Sequence, residues 1–137
     1  MAYWLLKSEP ETWSWDDQVK KGVESWNGVR NHQANKNMKT MKVGDKAFFY
    51  HSGAERSIVG IVEIVCEHYP DPTDPTGKFG MVDVKALQPV PRPVTLAQIK
   101  ESGRFGDLML VRHSRLSVSP VSEEHWRALC AIGGVAP

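Results

Sequence analysis

The sequence predicts an α+β fold, a small mixed pseudo-barrel of about six short strands with short helices packed outside. Three observations carry this. Ser57 to Cys66 is a strand with β-branched residues at Ile58, Val59, Ile61, Val62, Ile64 and Val65, apolar on both parities, so both of its faces are buried. Strand-like and helix-like stretches fail to alternate regularly, which excludes a doubly wound sheet. The chain has 137 residues, enough for one domain spanning 1–137 and too few for a second core.

The elements follow in order. Tyr3 to Ser8 reads as a strand stopped by Pro10. Ser14 caps a helix with Asp16 and Asp17 in its first turn and Gly22 at its end. Trp26 to Asn31 contains Asn27-Gly28 and reads as a turn, followed by a helix over Asn31 to Met41. Lys46 to His51 and Ser57 to Cys66 are strands, with Gly53 turning between them. Pro70, Pro72 and Pro75 make a stiff loop before a strand from Met81 to Leu87, and Pro89, Pro91 and Pro93 make an extended connector. Thr95 and Gln98 form a capping box, and Val94 staples onto Ile99. Leu108 to Arg112 and Leu116 to Val118 are strand-like. Ser122 caps a last helix, stapled by Val121 on Trp126 and closed by Gly133.

Composition narrows the function. Hydrophobic residues are 41% and charged residues 24%, which is ordinary for a soluble protein. No apolar run is long enough to span a membrane, and the start lacks a signal peptide's apolar core, so a cytoplasmic location is expected. Cys66 and Cys130 are expected to be reduced and buried. The net charge is only +1, so the protein does not coat nucleic acid by charge alone. Cations nevertheless gather at Arg30, Lys36, Lys39, Lys42 and Lys46, and again at Arg104, Arg112 and Arg115.

Enzyme signatures are missing: there is no nucleophile elbow, phosphate loop or dinucleotide fingerprint. The five histidines show no ligand spacing and the cysteines form no C-x-x-C pair, so neither a metal nor a cofactor is expected. Trp26, Arg30 and Asn31 leave one short segment with a ring, a guanidinium and an amide, the groups that meet the face and edge of a flat heterocycle. Equally, Trp26 can fill the core and Asn31 can cap the following helix. Lys7 and Ser8 end one strand, and Tyr50, His51 and Ser52 end another, where polar groups meet either a ligand or plain water. Tyr69-Pro70-Asp71 is a stiff loop with an aromatic and an acid, or simply an Asx turn.

The blocks YWLLKSEP, WNGVRNHQA, MKVGD, FFYHS, GIVEIV with HYPDP, and RLSVSPVSEEHW together resemble the EVE domain family, in its order and spacing from Tyr3 to about Gly133. That resemblance implies a PUA-like pseudo-barrel related to YTH and ASCH domains. It also implies a non-enzymatic pocket for a modified base, a modified cytosine above all, on DNA or RNA. YTH domains hold N6-methyladenosine in an aromatic cage, and their first strand ends in a Lys-Ser pair that Lys7 and Ser8 resemble. Carried over by position, Trp26 is the stacking wall, with Asn31 and Ser8 reading the base edge. Tyr50, His51, Ser52 and Tyr69 line the rest, and Arg30 and Arg115 meet phosphate or brace the floor. The expected partner is a nucleic acid with a modified base, no membrane is involved, and a monomer is favoured. Replacing Trp26 by Ala is then expected to abolish preference for modified bases with little change in melting temperature. The rival readings are a nucleotide- or RNA-modifying enzyme with His51 as general base, and an adaptor sensing a small metabolite.

Overall fold

A computed structural model describes residues Met1–Pro137. Its elements are β1 (Tyr3–Ser8), α1 (Trp15–Lys21), β2 (Val23–Ser25), α2 (His32–Thr40), β3 (Lys46–His51), β4 (Ser57–Pro70), β5 (Gly80–Thr95), α3 (Leu96–Ser102), α4 (Met109–Arg112), β6 (Val118–Val121) and α5 (Glu123–Gly133). The strands form one mixed sheet in the order β2-β5-β4-β3-β1-β6. Only β1 and β3 run parallel, and every other pairing is antiparallel.

Alternation along β3 divides the interior in two. Ala47 and Phe49 face one core with Trp4, Leu6, Val62, Val84 and Val118, and α2 closes that core with Ala34 and Met38. Phe48 and Tyr50 face the opposite core, which α3 and α5 cover with Ile99, Trp126 and Leu129. A strand buried on both faces cannot alternate polar and apolar residues, which is why β3 and β4 read as continuous hydrophobic runs. Helix α2 reaches β6 at one end of the sheet and β5 near the other, so the curved sheet is plugged rather than open. The fully covered sheet with outer helices is the α+β pseudo-barrel the sequence predicts.

Local chemistry starts and stops the helices as expected. The side chains of Ser14 and Thr95 each accept the N–H of the third helical residue, and Asp17 and Gln98 reach back to complete capping boxes. Asn31 caps α2 and Ser122 caps α5. The residue closing α5 in the left-handed conformation is Gly134, one beyond the expected Gly133.

Four expectations change. Leu108 to Arg112 was expected as a strand, but Met109–Arg112 is one turn of helix, held by Leu108 O accepting from the Val111 and Arg112 N–H groups. A short apolar run such as Leu108 to Val111 does not distinguish the two. The sixth strand is instead β2, whose three residues pair with Lys85, Val84 and Asp83. The proline connector belongs to β5: Pro89, Pro91 and Pro93 are two apart, so their missing N–H groups share one edge, beyond the end of β2. Cys66 is exposed, because β4 bends through irregular pairing after Ile64 and leaves the core; Cys130 is buried and both thiols are free. No helix is long and apolar enough to cross a membrane.

Candidate functional site

A cavity of about 470 Å³ opens between the β1–α1 loop and the segment from β2 into the α2 loop. That volume lies within the ~300–1,000 Å³ range of small-molecule sites. Two indoles line it, Trp13 and Trp26. Trp26 is 8% exposed and packs edge-on against Phe49, with ring centroids 5.4 Å apart. It therefore belongs to the core and offers the cavity only its remaining surface. Trp13 is half-buried, and its Nε1 donates to Gln18 Oε1 at 2.9 Å, which fixes the ring from behind.

The two serines of the polar rim face the cavity as acceptors. Ser8 Oγ donates its proton to Trp13 O. Tyr69 Oη donates to Asp83 Oδ1, so in the 3.1 Å contact between Ser25 Oγ and Tyr69 Oη the serine must donate. The carboxylate beside it holds the Tyr69 phenol above its usual pKa, which keeps that proton in place. Both serines have spent their protons inside the fold and show the cavity only lone pairs. Glu9 and Glu24 add carboxylates to the same rim, and Asn27, Lys7 and the Thr12 hydroxyl can donate there.

Asp71 sets the turn that carries Trp26. Its Oδ2 accepts the Gly28 N–H at 2.8 Å and Arg30 Nη1 at 3.2 Å, and its Oδ1 accepts Thr73 N at 2.8 Å and Thr73 Oγ1 at 2.6 Å. Burial pushes this carboxyl's pKa up, but the hydrogen bonds from Thr73, Gly28 and Arg30 outweigh it and hold it at about 2. The chain repeats the device at once, with Asp74 Oδ1 accepting from Thr76 N and Thr76 Oγ1. The Asx turn, one of the two readings of Tyr69-Pro70-Asp71, is present.

The ten residues picked out in the sequence do not share one slot. Lys7, Ser8 and Trp26 line the cavity, and Tyr69 stands behind its wall, orienting Ser25. Arg30 is committed to Asp71 and Thr73 and lies over the Phe79 ring, so it braces the loop. Tyr50 and Ser52 line a second cavity with Lys7. Asn31 and Arg115 line a third, where Asn31 Oδ1 is already taken by the Ala34 N–H at 2.8 Å. Asn31 thus lines a different cavity from Trp26. His51 lies inside, its Nε2 accepting the Trp15 N–H at 2.9 Å and its Nδ1 contacting Glu55 Oε2 at 2.6 Å. The first bond requires a bare Nε2, so the proton sits on Nδ1 and both nitrogens are occupied.

Sequence reading missed Glu9, Thr12, Trp13, Glu24, Ser25 and Asn27 as lining residues. Trp13 sits beside a helix start, where a tryptophan reads equally as core, and Glu24 and Ser25 lie in β2, too short to leave a pattern. No group of histidine, cysteine and carboxylate side chains forms a metal site.

A mixed sheet closed by a helical plug, with an aromatic cavity at the strand ends, has the architecture of the PUA-like and ASCH class; the ASCH protein of Zymomonas mobilis shares the fold at TM-score 0.59 and 14% identity, over 95% of this chain and 94% of that one. More narrowly, the chain belongs to the EVE domain family, whose sequence profile matches residues 2–132. It is 36% identical to chicken (Gallus gallus) thymocyte nuclear protein 1 over 91% of its own length, and spans 66% of that relative. The Rpa0253 structure from Rhodopseudomonas palustris is 55% identical, with TM-score 0.92, covering 98% of this chain and 94% of that one. The human THYN1 protein, solved in complex with 5-methylcytosine-containing DNA, is 30% identical with TM-score 0.92 over the whole of both chains.

Proposed function

We propose that this protein captures a 5-methylated cytosine of DNA in the Trp13–Trp26 cavity, as a binding module without catalysis. The observation that carries the reading is the pairing of two indoles with an acceptor-only serine rim. Stacking of a base on an aromatic ring contributes about 1–3 kcal/mol, which offsets the few kcal/mol needed to unstack it. The human relative's complex with 5-methylcytosine DNA supports the same ligand class.

The rim bears on a choice that stacking cannot make. Thymine and 5-methylcytosine carry the same methyl group and differ at position 4, where one shows an acceptor and the other an amino donor. Lone pairs from Ser8 and Ser25 accept from the amino group and repel the thymine oxygen. The methyl group, by contrast, adds only about 1 kcal/mol over cytosine. The module therefore rejects thymine more strongly than it rejects cytosine.

Binding to oligonucleotides that differ at one central position checks this. Wild type is expected to prefer 5-methylcytosine over thymine by tenfold or more, about the effect of one unmade buried hydrogen bond. Tyr69→Phe frees the Ser25 proton and is expected to weaken that preference while sparing the preference over cytosine. Equal affinity of wild type for the two methylated bases would sink the reading. Free nucleoside binding as tightly as the oligonucleotide would favour the metabolite adaptor instead. The enzyme alternative has little support, because His51 has no nitrogen left for a substrate.

A further inference from the structure

The second cavity, about 410 Å³, has a different chemistry from the first. Lys7, Arg56 and Lys100 line it together with the hydroxyl-bearing Tyr50, Ser52 and Ser114, and no carboxylate does. None of its three cations lies within 4.0 Å of a carboxylate, since the chain's ion pairs all involve other residues. Tyr50 is 3% exposed and its hydroxyl makes no hydrogen bond within the chain; since no buried side-chain polar atom is left without a partner, the hydroxyl is the accessible part of this residue, and it borders the cavity.

We propose that this cavity is a phosphate-binding site. Three converging cations with phenol and serine donors match an oxyanion with several acceptor oxygens. Lys7 is half-buried, and desolvation lowers its pKa with no carboxylate to offset it, so an incoming anion meets an uncompensated charge. One Lys7 proton is held by Ser114 O at 2.6 Å, which leaves two for a ligand. Arg56 is the sole non-glycine residue with positive φ, at 44°, and its Nε donates to Gly53 O at 3.1 Å, so the turn holds the guanidinium beside the cavity at some backbone cost. Because Lys7 also lines the Trp13–Trp26 cavity, the phosphate next to a captured base lies within reach; that source rests on the base-capture reading, whereas a free phosphate does not.

Two titrations of an Arg56→Gln/Lys100→Gln double variant and of Tyr50→Phe against wild type decide the matter. In the first, inorganic phosphate is added to isotope-labelled protein and the amide signals of Ser52, Gly53 and Arg56 are followed. Saturable shifts in wild type, lost in the double variant and weakened in Tyr50→Phe, are expected. In the second, a single-stranded 5-methylcytosine oligonucleotide is bound at several salt concentrations. The double variant is expected to bind about tenfold more weakly, with a salt slope shallower by about 0.7 per lost contact. Phosphate saturation with unchanged oligonucleotide affinity supports the site and assigns it to free phosphate. A weaker, flatter oligonucleotide response alone supports it and assigns it to the backbone. No saturable shift together with unchanged oligonucleotide binding overturns it. Failure of base capture reads differently, as indifference to the central base while phosphate still saturates.

Discussion

The Trp26 indole packs edge-on against Phe49 and keeps 8% of its surface exposed, while Trp13 is half-buried and anchored through its N–H to Gln18. Truncating a buried indole leaves a cavity that the surroundings fill only in part, at a cost of about 3–5 kcal/mol. Trp26→Ala is therefore expected to melt well below wild type in a thermal unfolding experiment. This reverses the expectation that came with the family resemblance, of little change in melting temperature, and agrees with the other reading of the residues, in which Trp26 fills the core. Trp13→Ala removes a more exposed ring and is expected to lose most of the oligonucleotide affinity with a smaller loss of stability. If instead Trp13→Ala melts like Trp26→Ala and binding is unchanged, the stacking role moves elsewhere. The two roles were not separable in the sequence, because both tryptophans lie near turns and burial depends on what packs from elsewhere.

At the scale of elements, β4 leaves no room beneath α1. Gly60 lies under the Trp15 ring, and a Cβ there would meet ring atoms at 2.5 Å. Gly60→Ala must push α1 away from the sheet, a form of overpacking that costs about 1–3 kcal/mol. Because α1 follows the loop bearing Trp13, that variant is expected to lower both the melting temperature and oligonucleotide affinity, whereas the sole loss of affinity would show that α1 yields freely. Strands β1, β3 and β4 and the caps of α1, α2, α3 and α5 were legible, since alternation and side-chain caps act within a few residues. The short β2 was not, and with it Glu24 and Ser25 went unseen. Helix α4 was misread as a strand because a short continuous apolar run satisfies either geometry.

For the whole molecule, acid is the informative stress. Asp71 and Asp74 both have pKa values of about 2. For Asp74 the Thr76 hydroxyl is the main cause, and for Asp71 burial is outweighed by its hydrogen bonds. Their pKa values are depressed on folding, so their contribution is complete above the ordinary carboxylate range and is lost as pH falls through about 2. Thermal stability is expected to be level near neutrality and to fall between roughly pH 4 and pH 2. In Asp71→Asn the fall is expected to be shallower, from a lower starting point, because part of it has already been lost. An unchanged slope would place the acid sensitivity in other carboxylates. The same loop holds the Gly28 turn through Asp71, so base binding is expected to weaken over the same range.

The sequence by itself determined the class of fold, most helix ends and the neighbourhood of the site. Hydrophobic period and helix caps are properties of residues close together in the chain, and the family blocks span nearly all of it. Only the tertiary structure decided which side chains share a cavity. Ser25 meets Tyr69 across 44 residues of chain, and Gly28 meets Asp71 across 43, contacts that no local pattern encodes. Folding thus separated ten candidate residues among an aromatic slot with serine acceptors, a cationic cavity, a third cavity holding Asn31 and Arg115, a loop brace and the interior, because each side chain goes where packing leaves room and its hydrogen bonds can be met.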